Sequence, residues 1–228
     1  MTKLTDIVSQ NIDDILNLKL AEKKFYKDVR NNKDYYVLSS PNAFEKDYIC
    51  IMAMGFAEFV GVWSYTLLKL SRLEESTMKP YFQSFTNEDW GVISINPHYS
   101  DPDPIGDNYY YQFDKLLEDI KPETKLGFVG FSMGGRPILE YLDNKKDILN
   151  RIIGLVLIDP EVPEEINNEQ LLKIIKERTF LVAGEGEHAL GEGAAKFLQI
   201  PYISIGGIHG AIPNIVINDV IDFFKKQM

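Results

Sequence analysis

The chain has 228 residues, 45% hydrophobic and 25% charged, ordinary globular values with length enough to bury a sizeable core. A formal net charge of −10 and a pI near 4.8 oppose binding to nucleic acid or to an anionic membrane surface. A neutral small molecule remains open as a partner.

Residues 1–23 form a lead-in, helical or irregular, in which Ile7, Ile12, Ile15, Leu16 and Leu20 fall at loosely helical spacing. Residues 24–29 and 35–38 flank the turn-forming Arg30-Asn31-Asn32-Lys33-Asp34 and predict an antiparallel hairpin. The run 48–54 is almost continuously apolar, the composition of a strand covered on both faces. It ends in the sharp loop Met54-Gly55-Phe56-Ala57. Cys50, the single cysteine, lies inside that run, so a buried and unreactive thiol is expected.

Helices are expected over 62–73 and 77–85, and a strand over 90–96. The loop 96–107 is rich in Asp and Pro. It brushes against a calcium-loop pattern, but Ile105 stands where an oxygen ligand is needed and Gln112 where the closing Glu belongs, so it reads as a solvated loop. Residues 109–120 suit a helix whose Tyr109-Tyr110-Tyr111 triplet suits packing and rim. Strands are then expected at 126–131, 152–158, 179–184 and 202–205, with helices over 168–176, 192–198 and 214–226. Alternating strands and helices from residue 48 onward predict an α/β domain with a mostly parallel central sheet and helices on both faces, behind the N-terminal antiparallel hairpin. No repeat or linker divides 1–228, so a single domain is expected. No apolar run reaches membrane-span length, and no basic segment followed by an apolar core opens the sequence, which points to the cytoplasm.

The most specific stretch is Gly130-Phe131-Ser132-Met133-Gly134-Gly135, between a buried strand and a helical pattern. A serine with glycine two positions before and after it, in that context, has the spacing of a nucleophile elbow. The glycines avoid collisions with the adjoining strand and helix, and the turn sets Ser132 at a helix N-terminus that favours negative charge. The same letters could serve a capping serine; strand, turn and helix in order favour the elbow. The stretch lacks the Gly-Lys-Ser/Thr end of a P-loop and the Gly-x-Gly-x-x-Gly of a dinucleotide fingerprint.

Serine needs a base, and the base an orienting partner. Of the three histidines, His209 follows the last strand in a glycine-rich loop able to reach Ser132. His188 is a weaker candidate, and His98 precedes the serine in the Asp/Pro loop. For the acid, Glu187 is favoured, with Asp159 at the preceding strand end as the alternative and Glu185 behind both.

These features together resemble the α/β-hydrolase family over roughly residues 24–228, with Gly130-Phe131-Ser132-Met133-Gly134 at the family's elbow and the order serine, acid, histidine met by Ser132, Glu187 and His209. The family's Gly-x-x-acid pattern falls on Gly184 and Glu187. The resemblance implies an oxyanion hole from the backbone N–H groups of Phe56 and Met133, with Met54-Gly55 where His-Gly is frequent. Between Pro160 and Arg178 there is room for one connecting helix, hence little or no lid. The implied function is a serine esterase or thioesterase acting on a small acyl substrate, with no metal or organic cofactor. A non-catalytic binding protein on the same scaffold and an acyltransferase are the alternatives.

Overall fold

The computed structural model describes residues 13, 19–30, 32–55, 60–70, 72–95, 105–186 and 189–228. Its strands are β1 (Glu22–Asp28), β2 (Lys33–Ser39), β3 (Tyr48–Ala53), β4 (Gly91–Ser94), β5 (Lys125–Phe131), β6 (Ile152–Ile158), β7 (Thr179–Gly184) and β8 (Ile203–Ile205). They form one eight-stranded sheet in the order β1-β2-β4-β3-β5-β6-β7-β8. The hairpin β1–β2 joins antiparallel to β4, and from β4 to β8 every pairing is parallel.

Alternation along the central strands explains why the sheet is covered twice. In β3, Ile49, Ile51 and Ala53 enter one core and Cys50 and Met52 the other; in β5, Leu126 and Phe128 oppose Val129 and Phe131. Each face meets its own helices. One packs against α4 (Ile105–Asp119), α5 (Gly135–Asn144), α6 (Glu169–Glu177) and α7 (Gly191–Leu198) through residues such as Phe113, Leu139, Leu171 and Ala195. The opposite face packs against α1 (Tyr65–Lys69), α3 (Lys79–Asn87) and α9 (Ile217–Gln227) through Leu68, Phe82, Phe85, Val220 and Phe224. Contact is close: a Cβ at Gly127 of β5 would lie 2.6 Å from the Phe224 ring.

Several expected boundaries move. The helix expected over 62–73 is short, because Val62 forms a bridge with Thr77 and Ser64 caps α1 by accepting from Leu67 N–H at 3.3 Å. A separate turn, α2 (Leu73–Ser76), follows. The closing helix divides at Val216 into α8 (Ile212–Ile215), which has Pro213 in its first turn, and α9. Strand β1 begins at Glu22, inside the expected lead-in; most of that lead-in and the loop 96–104 lie outside the described residues. Between Pro160 and Arg178 there is an irregular stretch and α6 alone, as the absence of lid-length sequence predicts. No helix among the described residues is long and apolar enough to cross a membrane.

Candidate active site

Ser132 follows β5 directly and opens a 3-10 turn, Ser132–Gly134, that runs into α5. Its φ of 52° is a left-handed backbone that costs a non-glycine residue about 1–2 kcal/mol. Such strain persists only where the surroundings over-determine it. They do so here through the two glycines. A Cβ at Gly130 would lie 2.8 Å from Gly135 Cα, and one at Gly134 would lie 2.3 Å from the Ala53 carbonyl oxygen. The serine turn is thus wedged between α5 and the end of β3. On the β3 side Gly55 faces the serine: a Cβ there would lie 2.8 Å from Ser132 Cβ and 3.1 Å from its Oγ.

On the other side is β6. Phe131 and Ile158 are paired across neighbouring strands, so Ser132 and Asp159, the residues that follow them, leave the sheet side by side. The Glu161 N–H donates to the Ser132 carbonyl at 2.9 Å and ties the two exits together.

The Asp159 side chain is fully buried and uses both oxygens. Oδ2 is 2.6 Å from His209 Nδ1. Oδ1 accepts from the backbone N–H groups of Gly184 at 3.0 Å, Leu190 at 2.9 Å and Gly191 at 2.6 Å, so the carboxylate also anchors the start of α7. Burial pushes its pKa up; the His209 contact and the Gly184 and Gly191 donors outweigh that, and the net shift is downward. Facing an ionised Asp159, His209 Nδ1 is the donor, so in the neutral imidazole the lone pair lies on Nε2.

His209 opens the 3-10 turn His209–Ala211 after β8. Its ring lies against Phe131, with centroids 4.7 Å apart, and that contact brings the imidazole to the residue next to Ser132. The turn is seated on the cap of α1, since a Cβ at Gly210 would lie 2.2 Å from Ser64 Oγ.

Of the residues singled out from the sequence, Ser132, Asp159 and His209 are brought to one rim at the carboxyl ends of the parallel strands, where open α/β sheets gather ligands. Met133 sits beside them in the turn that heads α5. Glu185 is directed elsewhere: its Oε1 accepts from the Ser204 hydroxyl at 2.9 Å on the exposed side of β8. Glu187, His188, His98 and Phe56 lie outside the described residues. Among the described residues, the carboxylate in contact with His209 is Asp159, the alternative to Glu187 in the sequence reading. Gly184, read as the first letter of an acid pattern ending at Glu187, adjoins Asp159. A Cβ on it would come within 2.9 Å of Asp159 Oδ2, so its bare backbone makes room for that carboxylate and donates to it. The signal available in the sequence was a lone acid closing an otherwise apolar strand, 152–158; a carboxylate in such a place must find donors.

A cleft of about 540 Å³ opens nearby on the solvent side of α5, lined by Arg136, Glu140, Asp143, Glu164 and Glu165 among others, but by none of Ser132, Asp159 and His209. Among the described residues, no group of three or more His, Cys, Asp or Glu is placed to hold a metal ion.

The sequence matches no family model and no curated protein; the likeness is in three dimensions. An α/β hydrolase from Vibrio vulnificus superposes with a TM-score of 0.62 at 14% identity, over 97% of this chain and 86% of that one. An esterase from Pyrococcus furiosus gives 0.56 at 15%, over 91% of each chain. The thioesterase domain from the curacin biosynthetic pathway gives 0.57 at 14%, over 90% of this chain and 99% of that one. Matches that run nearly end to end at so low an identity are likenesses of architecture, and the architecture in which this chain sets its serine turn and its histidine loop is the α/β-hydrolase fold.

Proposed function

We propose that the protein is a serine hydrolase that cleaves a carboxylic ester or thioester through an acyl-enzyme on Ser132. His209 Nε2 takes the Ser132 proton as Oγ bonds to the acyl carbon. The negative charge that develops on the carbonyl oxygen is received by the backbone N–H groups of Met133 and Phe56. As the tetrahedral intermediate collapses, the carbon–oxygen or carbon–sulfur bond breaks and His209 returns the proton to the leaving group. Water, deprotonated by the same imidazole, then releases the acid and restores Ser132. Asp159 keeps the imidazole in the tautomer and orientation this requires, and stabilises its charged form.

The observation that carries this reading is the 2.6 Å contact between buried Asp159 and His209 Nδ1, in an imidazole packed on the residue that precedes Ser132. A surface histidine has no need of a buried carboxylate held by three further donors. The esterase and thioesterase among the structural neighbours support the ester and thioester class. The test is a panel of p-nitrophenyl esters and acyl-thioesters of graded length, run beside Ser132→Ala. Turnover of at least one member by the wild type and none by Ser132→Ala is expected. Equal turnover by both, or by neither, rejects the reading.

A further inference from the structure

Strand β8 brings the chain to His209 along the last edge of the sheet, and from Pro201 to Ile208 every residue is exposed except half-buried Ile205. The approach to the histidine therefore gives it little support. The chain beyond it is different: Gly210, Ala211, Ile212 and Pro213 are all buried. Backbone bonds make this stretch one continuous helical body. Ala211 N–H donates to the Ile208 carbonyl at 2.8 Å, Ile212 N–H to the His209 carbonyl, and Val216 N–H to the Ile212 carbonyl at 3.1 Å.

That body is tied to the segment between β3 and β4. Tyr81 of α3 is wholly buried, and its hydroxyl donates to the Pro213 carbonyl at 2.8 Å. Asn214 Nδ2 donates to the Thr77 carbonyl at 2.9 Å. The anchoring segment is itself cross-linked around the bridge from Val62 to Thr77, where Trp63 N–H donates to the Ser76 carbonyl at 2.7 Å and Met78 N–H to the Gly61 carbonyl at 2.9 Å. The Tyr81 ring reaches the imidazole by a second route. It meets Trp63 edge-on with centroids 5.0 Å apart, Trp63 meets Phe131 edge-on at 6.0 Å, and Phe131 carries the His209 ring.

We infer that Tyr81 is a positioning residue for His209: its bond to the Pro213 carbonyl fixes the helical body that begins at the histidine, and so holds the imidazole against Asp159 and Phe131. The inference rests on the proposed serine chemistry. A merely structural hydroxyl would affect stability alone, whereas one that places the base affects the chemical step more than substrate binding. A misplacement of about 1 Å, caused from outside the reacting groups, can cost about 10²-fold in rate; loosening one of two ties should cost about 10-fold.

The test compares three variants. Tyr81→Phe keeps the ring contacts and removes one hydroxyl, and Asn214→Ala removes the second tie. Tyr141→Phe is the control: Tyr141 is also buried, in the core on the other face of the sheet, and its hydroxyl donates to Asp114 Oδ1 at 2.7 Å. Thermal melts, kcat and KM for p-nitrophenyl butyrate, and the rate of fluorophosphonate labelling are measured for each. In Tyr81→Phe, kcat and labelling rate should fall together by about 10-fold with KM unchanged within about twofold. Asn214→Ala should lose rate in the same way, and Tyr141→Phe should lose thermal stability while keeping both rates within about twofold. The inference is overturned if a folded Tyr81→Phe keeps wild-type kcat and labelling, if KM alone changes, or if Tyr141→Phe loses as much activity. Should Tyr81→Phe not fold, Asn214→Ala decides by the same criteria, and failure of both to fold also overturns it. The underlying reading fails in a different way: the wild type is not labelled, or Ser132→Ala is.

Discussion

Replacing Asp159 by asparagine keeps the shape of the side chain and changes only what it can offer its neighbours. Three backbone N–H groups point at Oδ1, and a single ring nitrogen faces Oδ2. The introduced amide must turn its one oxygen toward the three donors, since the opposite orientation would set its own NH₂ against them. That NH₂ then faces His209 Nδ1, which is forced to accept, and the imidazole proton moves to Nε2. The resulting tautomer cannot take a proton from Ser132. In the serine–histidine–aspartate template the same substitution lowers kcat by about 10⁴-fold with the geometry intact, and a loss of about 10³- to 10⁴-fold is expected here. Stability should fall as well. Charge-assisted hydrogen bonds are roughly twice as strong as neutral ones, so neutralising the carboxylate's four contacts should cost about 2–3 kcal/mol. Turnover of p-nitrophenyl butyrate and urea unfolding, measured on Asp159→Asn beside Glu187→Gln, check both figures. If Asp159→Asn stays within about tenfold of the wild type while Glu187→Gln loses activity, the acid is Glu187 and the buried donors around Asp159 serve structure alone.

The same geometry bears on acid stability, on the elbow glycine and on the cysteine. Because the Asp159 pKa is lowered in the fold, its contribution to stability is complete above the unfolded carboxylate value of about 3.9 and is lost as pH falls through the lower folded value. The stability gap between wild type and Asp159→Asn should therefore narrow as pH falls below about 4; a gap that goes on widening there contradicts the assignment. Gly134→Ala drives a Cβ to within 2.3 Å of the Ala53 carbonyl oxygen, a backbone atom that cannot step aside, and should lower Tm by about 5–10 °C in a thermal melt. Cys50 is buried and its thiol pKa is pushed up by that burial, so a maleimide should react with the native protein only as fast as it unfolds, and at once in denaturant. Rapid labelling of the folded protein would place Cys50 elsewhere than in the core.

The parallel sheet was legible because its strands carry their burial in their composition: 48–53 and 152–158 are apolar throughout, which only a strand covered on both faces can sustain. Ser132 was legible for a related reason. Its glycines mark places where backbone meets backbone, at Gly135 on one side and Ala53 on the other, and such contacts leave a mark in the letters. The partner of His209 left a fainter one. Glu187 stands at the family interval after Gly184 in sequence, whereas the Asp159 contact depends on which strand ends adjoin. Asp159 leaves β6 next to the exit of β5, and the His209 turn comes back over Phe131 to meet it. No interval along the chain encodes that return. The break at Val216 and the short α1 were hidden similarly, since apolar residues at helical spacing continue across both. What shortens α1 is local, the bridge from Val62 to Thr77, and at Val216 the backbone leaves the helical region with φ −96° and ψ 8°. Tyr109 was read as packing, which its ring does; its hydroxyl is aimed at a main-chain oxygen that no side-chain pattern records.

The central claim is that Ser132 is a nucleophile activated by His209. Its most direct test is the intact mass of the protein after incubation with a fluorophosphonate, followed by peptide mapping. One phosphonyl adduct per chain is expected, located on Ser132, absent in Ser132→Ala and formed at least about 10³-fold more slowly in His209→Ala. An unmodified wild type, or an adduct that persists in Ser132→Ala, would contradict it.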